Sequence, residues 1–415
     1  MTDWMTNMMA AVDLWAERNR LVPEIYSITD AEVRDLVRME DEYEKSIADL
    51  ASHINSADYR QALISNLTSA DESTCQVAAH IILRSGSTDL EADLITRLLS
   101  RETLLFRKID PVLRVCEPAI ILTFLDKLLS EQKPWLLEAF STTIGKNQLP
   151  GLVKHYIDHD KLVTKHHTVF NMLGLIGDRQ YAPLILKEME ETANGVFLRQ
   201  ACADALLMLG MDDGIAFYRD ALVNSTGDGT LAFRLGSFSA PDDIEFLQRV
   251  AKSAPDNEYL KGILTGIGLT GDFSCAQFLV GYLKHANVEV RQAASEALSR
   301  ITGEWDVDSD DIDALESIWH EWLASNRENF EACVRYTNGH RFDVIDMATE
   351  LLDTDTENRS VRHEALIVYS GLHLPFDENR YIIDQLEQAK AWVSGLSELD
   401  LAEGEWIRFG ITVSS

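Results

Sequence analysis

The stretch LRQACADALLMLG, Leu198 to Gly210, returns 92 residues later as VRQAASEALSRITG, Val290 to Gly303. That distance is about three periods of ~31 residues. Glycines fall at Gly86, Gly145, Gly177, Gly210, Gly271 and Gly303. Weaker breaks at Cys116 and Ala240 fill the gaps, so the intervals run 30, 29, 32, 33, 30, 31 and 32. Such a period marks a stack of supersecondary units, each too thin to bury its own apolar face. In the later copy Val290, Ala293, Ala294, Ala297, Leu298 and Ile301 share one helical face. Glycine after such a face suits a helix end that needs a left-handed residue. The fold expected is all-α, an α-solenoid of about ten helix pairs.

Outward from these copies the pattern changes. In residues 1–70, Trp4, Met8, Val12 and Trp15 have helical spacing, and Val22-Pro23 breaks the run. Thr29-x-x-Glu32 resembles a capping box, opening a second helix toward His53. The two helices read as an N-terminal helical cap on the repeats at 71–303. Residues 304–328 read as an acidic insertion followed by a helix with Trp319 and Trp322. Residues 329–392 hold looser repeats, breaking at Gly339 and Gly371. Their register has moved, since Val361-Arg362 lies 71 residues after Val290-Arg291. The tail, 393–415, ends in GEWIRFGITVSS, the one local stretch with strand character.

Charge narrows the partners. The 415 residues carry 68 acidic and 37 basic side chains, a net charge of −31. Binding to nucleic acid rests on neutralising phosphates with Lys and Arg, so it is excluded, and an anionic membrane surface is disfavoured likewise. A cationic partner would be attracted and held. The five cysteines, Cys75, Cys116, Cys202, Cys275 and Cys333, are scattered and never spaced as CxxC. They read as buried small hydrophobes in a reducing compartment. Asp3 stands where a signal peptide wants positive charge, and no run approaches the ~20 apolar residues of a membrane span. The expected location is the cytoplasm, and no cofactor is expected.

The phrase VRxAAxxAL resembles the HEAT-like repeat. Val290, Arg291, Ala293, Ala294, Ala297 and Leu298 carry it, and Leu198, Arg199, Ala201, Cys202, Ala205 and Leu206 carry a weaker copy. The resemblance covers roughly residues 71–390 and implies a scaffold of stacked helix pairs. The layout of ITGEWDVD after a repeat helix, the pair Trp319 and Trp322, and the late VRHEAL and LPFD stretches is similar to uncharacterised bacterial HEAT-like proteins often encoded beside type VI secretion genes. That resemblance implies a cytoplasmic protein that binds a protein partner, as an immunity protein or adaptor for a secreted toxin.

Candidate groups follow. Asp306, Asp308, Asp310, Asp311 and Asp313 invite a calcium reading, but Asp311 stands at the loop glycine and Ser317 at the bidentate glutamate. The run therefore reads as a solvated helix cap or as a contact patch for a basic partner. Asp178, Asp212, Asp213, Asp242, Asp243 and Asp272 recur at second-helix starts, as caps or as an acidic ladder. Trp305, Trp319 and Trp322 read mainly as packing, with Trp305 kept as a candidate contact. His155 and His159, with His166 and His167 nearby, are the best metal candidates, against a reading as surface histidines. No nucleophile elbow, P-loop or HExxH motif is present. The expectation is a non-enzymatic, protein-binding scaffold for a basic toxin or effector. The partner-binding candidates are Asp212, Asp213, Asp242, Asp243, Asp272, Trp305 and the five carboxylates of 306–313. A HEAT-like enzyme of lyase or metal-dependent type, and a structural subunit of a larger assembly, are the alternatives.

Overall fold

The computed structural model describes residues 3–22, 30–100, 105–191, 193–224, 229–305, 312–352 and 356–413. The chain is an all-α solenoid of stacked helix pairs, and the described strands form three two-residue-stranded hairpins. It divides into two units. The first comprises 1–201, 348–364 and 373–393; the second comprises 202–347, 365–372 and 394–415. No described helix is long and apolar enough to cross a membrane.

In the first unit the opening helices are Asp3–Leu21 and Asp30–Ser52, both packed on Glu72–Ser85. Met8, Ala11 and Trp15 are buried, as is Arg18 one turn on. The apolar stripe of the second helix is interrupted by Glu40 at a buried position, where Arg18 Nε meets it at 3.1 Å. Leu105–Val115, Pro134–Lys146 and His167–Ile176 continue the stack. Asp71 caps its helix by accepting from Thr74 N at 2.8 Å, satisfying an orphan amide.

The second unit stacks Thr230–Ser237, Asn257–Thr270 and Val288–Thr302. Glycine sets this spacing. A Cβ on Gly236 would collide with the Gly266 carbonyl, and one on Gly262 would strike the Gly229 backbone. In an ordinary helix interior Gly→Ala stabilises by roughly 0.5–1 kcal/mol. Here the sign reverses: Gly266→Ala is expected to cost about 2 kcal/mol, because rigid backbones must move apart. A urea midpoint equal to or above that of the parent protein would contradict the close crossing.

The shifted register after residue 303 has a structural cause. Gly339 is not a break between helices. It is the second residue of a hairpin tip, with Asn338 and Gly339 at φ 51° and 79°. Phe409 and Gly410, at φ 51° and 73°, form the tip of another hairpin 71 residues later. Two consecutive left-handed residues make the turn whose twist matches paired strands. Each tip caps a helix. Asn338 N donates to Arg300 O at 2.6 Å, and Gly410 N donates to Tyr369 O at 2.7 Å. Helix, Trp-bearing helix and hairpin thus form a module longer than the preceding pairs, with Trp319 and Trp392 both fully buried.

Arg335, at the base of the earlier of these hairpins, is buried and joins successive layers. Its Nη2 donates to Ser237 O at 3.0 Å and Leu269 O at 3.1 Å, and the guanidinium lies 4.1 Å from the Phe342 ring. Both carbonyls sit at helix C-termini, where cations are favoured by the dipole. Four cysteines are buried as expected, but Cys333 is exposed, at φ 59° in the turn before this hairpin.

Candidate functional site

The acidic ladder lies in the second unit, and much of it is already engaged. Asp212 is exposed and ion-paired with Arg408. Asp213 is half-buried in the first turn of Asp213–Asn224. Asp242 is exposed in the first turn of Pro241–Lys252. Asp243 is fully buried, accepting from Ala240 N at 2.8 Å and pairing with Arg219. Donating to the Asp243 carboxylate raises the pKa of the Arg219 guanidinium above its ordinary value. Asp272 is half-buried, accepts from Ser274 N at 2.7 Å, and its backbone bridges to Arg335. Capping accounts for Asp243 and Asp272, so Asp243 is corrected from surface contact to internal cap. Asp178 does the same for Gln180 N.

Trp305 is 55% exposed just beyond the helix Val288–Thr302. Asp306, Asp308, Asp310 and Asp311 lie outside the described residues, and of Asp313 only its place in the helix Ile312–Asn326 is described. Trp319 is buried, while Trp322 Nε1 donates to Glu304 at 3.0 Å. These two rings, 5.8 Å apart, belong to an aromatic core with Phe330 and Phe273. A cleft of ≈ 430 Å³ opens between Phe273 and the Trp-bearing helix.

The histidine pair does not converge. Pro150–His155 is a short 3₁₀ turn, and His155 is buried with Nε2 2.9 Å from Asp126. His159 sits at a hairpin tip with φ 47° and its side chain 96% exposed. The i, i+4 argument required an α-helix that the chain does not form there. No group of three His, Cys, Asp or Glu among the described residues is arranged to hold a metal.

The densest polar constellation was invisible to the repeat pattern. It lies in the first unit, where His373–Tyr381, without helix or strand, crosses the stacked helices as a strap. His373 Nδ1 lies 3.1 Å from Leu175 O, and its ring covers Gly177. Asp377 is fully buried, accepting from Arg114 at 3.3 Å and from Asn379 N at 3.0 Å. Lys146 pairs with Glu378, and Arg380 donates to Asn147 at 2.9 Å. Arg18 Nη2 donates to the carbonyls of Asn379 and Arg380 at 2.7 Å each. Tyr381 donates to Glu44, and Ile382 N donates to Glu40 at 2.7 Å.

Burial alone would push the Asp377 carboxyl up. Arg114, Lys146 and Arg380 around it outweigh that and hold it below its ordinary value. Burial pushes Glu40 up to about 7 despite Arg18. Perturbed groups often mark active sites, but these neutralise one another in a closed network, which is what a structural latch requires. A Pro-Phe-Asp-Glu-Asn-Arg run after a helix end, charged yet aperiodic, was the available signal.

No family model and no curated protein matches this chain. Among solved structures it is similar to human deoxyhypusine hydroxylase in complex with glycerol, at 14% identity and TM-score 0.21. The match covers 65% of this chain and 96% of that one. That protein is an enzyme by its name, so the expectation that this chain is non-enzymatic is withdrawn. At that score the likeness assigns no activity to this chain.

Proposed function

We propose that this chain is a repeat scaffold that binds a cationic protein, and that it neutralises or escorts a basic secreted toxin. One observation carries the reading: the interior is electrically balanced. Among the described residues the buried cations are Arg18, Lys146, Arg335, Arg359 and Arg380. The buried carboxylates are Glu40, Glu188, Asp243, Asp377 and Glu378. Five offset five, so the chain's excess of carboxylates is not held in the described core. A surface so one-sided accelerates encounter with a basic partner and rejects nucleic acid. Trp305, exposed and followed in sequence by the aspartates of 306–313, supplies an aromatic anchor of the kind that dominates interface energies.

The test is co-purification with the product of the adjacent gene, and association with any partner so recovered, followed kinetically against salt. Raising salt from about 50 to 500 mM is expected to slow association at least roughly tenfold. Trp305→Ala is expected to weaken the complex by about 2 kcal/mol. A salt-insensitive on-rate, or no complex at low salt, overturns the reading.

A further inference from the structure

We infer that the cleft beside the Trp-bearing helix binds a small organic oxyanion with a flat apolar body. At ≈ 430 Å³ it falls within the range of about 300–1,000 Å³ typical of small-ligand pockets. Its lining contains no carboxylate, although the chain has 68. Arg327 and His320 stand at the cleft, with Ser274 and Gln277 as further donors. The Arg327 side chain makes no ion pair among the described residues. The carboxylate that approaches His320, Glu316 at 3.9 Å, is drawn to Lys284 at 2.5 Å.

The apolar part of the lining is stiff. Phe273 stacks on Phe330 with centroids 4.2 Å apart and planes 5° apart. Phe330 in turn abuts Trp322, which is pinned through its indole nitrogen to Glu304. Leu323 presents a largely buried side chain beside them. A ring fits against such a wall, since aromatic faces pack by offset stacking. The guanidinium matches the paired oxygens of a carboxylate or phosphate. A cation would meet Arg327 instead, and a neutral arene would leave it unused. This inference is independent of the cationic partner, because it concerns a cleft lined by Arg327 and by no carboxylate.

The experiment uses the full chain and ligand-observed saturation-transfer NMR. Phenyl phosphate and benzoate are the probes, with benzyl alcohol and inorganic phosphate as comparisons. At least one aromatic oxyanion is expected to bind saturably with Kd on the order of 1 mM, roughly tenfold tighter than either comparison. Which of the two binds better identifies the headgroup. Arg327→Gln, an exposed position, is expected to weaken binding roughly tenfold, and Ala324→Trp to abolish it by filling the cleft. If Ala324→Trp lowers the melting temperature, Arg327→Gln decides. No saturation by about 20 mM, equal binding of benzyl alcohol, or an unaffected Arg327→Gln variant overturns the inference.

Discussion

Asp377→Ala is expected to destabilise the first unit by about 3–5 kcal/mol, the cost of leaving buried charge without its partner. The carboxylate is fully buried among Arg114, Lys146 and Arg380. Its removal takes from Arg114 its one fully buried partner, leaving the part-exposed Asp110 at 2.8 Å and Glu378 at 4.0 Å, which Lys146 already holds. It also strips an acceptor from Asn379 N, which holds the bend of the strap. Asp377→Asn keeps an acceptor there and removes the charge, so a smaller loss is expected. Urea unfolding followed by tryptophan fluorescence measures both, and the loss is read from the transition of the first unit where the two units unfold separately. A loss below about 1 kcal/mol for Asp377→Ala would mean that the strap lies on the helices without holding them.

Acid is expected to destabilise the first unit well above the usual carboxylate range. Burial, with Arg84 nearby, lowers His80 to about 3. Burial also lowers His363 to about 4, despite its hydrogen bond to Leu374 O. Both are neutral when folded, so their stabilisation is complete above about 6.5, the unfolded value, and is lost as pH falls below it. Each contributes a slope of about 1.4 kcal/mol per pH unit in that window. Glu40 acts in the opposite sense. Raised to about 7, it favours the folded state below about 4.5, and that advantage fades as pH rises through 7. Between 6.5 and 4.5 the two histidines outweigh Glu40, and Glu44, which burial also raises, offsets part of the difference, leaving a net loss of at most roughly 1.4 kcal/mol per pH unit. Melting temperature should fall steadily over that interval. His363→Gln should roughly cancel the slope, and a flat profile for the unaltered protein would refute the assignment.

How much of this is legible in the sequence depends on the range of each interaction. The repeat helices were, because Val290, Ala294, Leu298 and Ile301 report their burial through a period of 3.6 residues. The N-terminal helices were legible for the same reason. The hairpin at 336–341 was missed, although Asn338-Gly339 is a strong turn signal, because Gly339 also suited a helix break. The acidic ladder was read correctly as a series of helix starts. Its availability was not readable, since Arg408 reaches Asp212 across 196 residues and Arg219 reaches Asp243 across 24.

By itself the sequence determined that this chain is all helical, layered and strongly negative, since propensity, periodicity and charge count are local or additive quantities. Tertiary structure decided where the charges are spent. The contacts between Lys146 and Glu378, or Arg18 and Arg380, span more than 230 residues, and polar side chains leave no period from which such partners can be read. Burial in a low dielectric makes those partners obligatory once the chain is folded, which is why the strap emerges from packing and not from pattern.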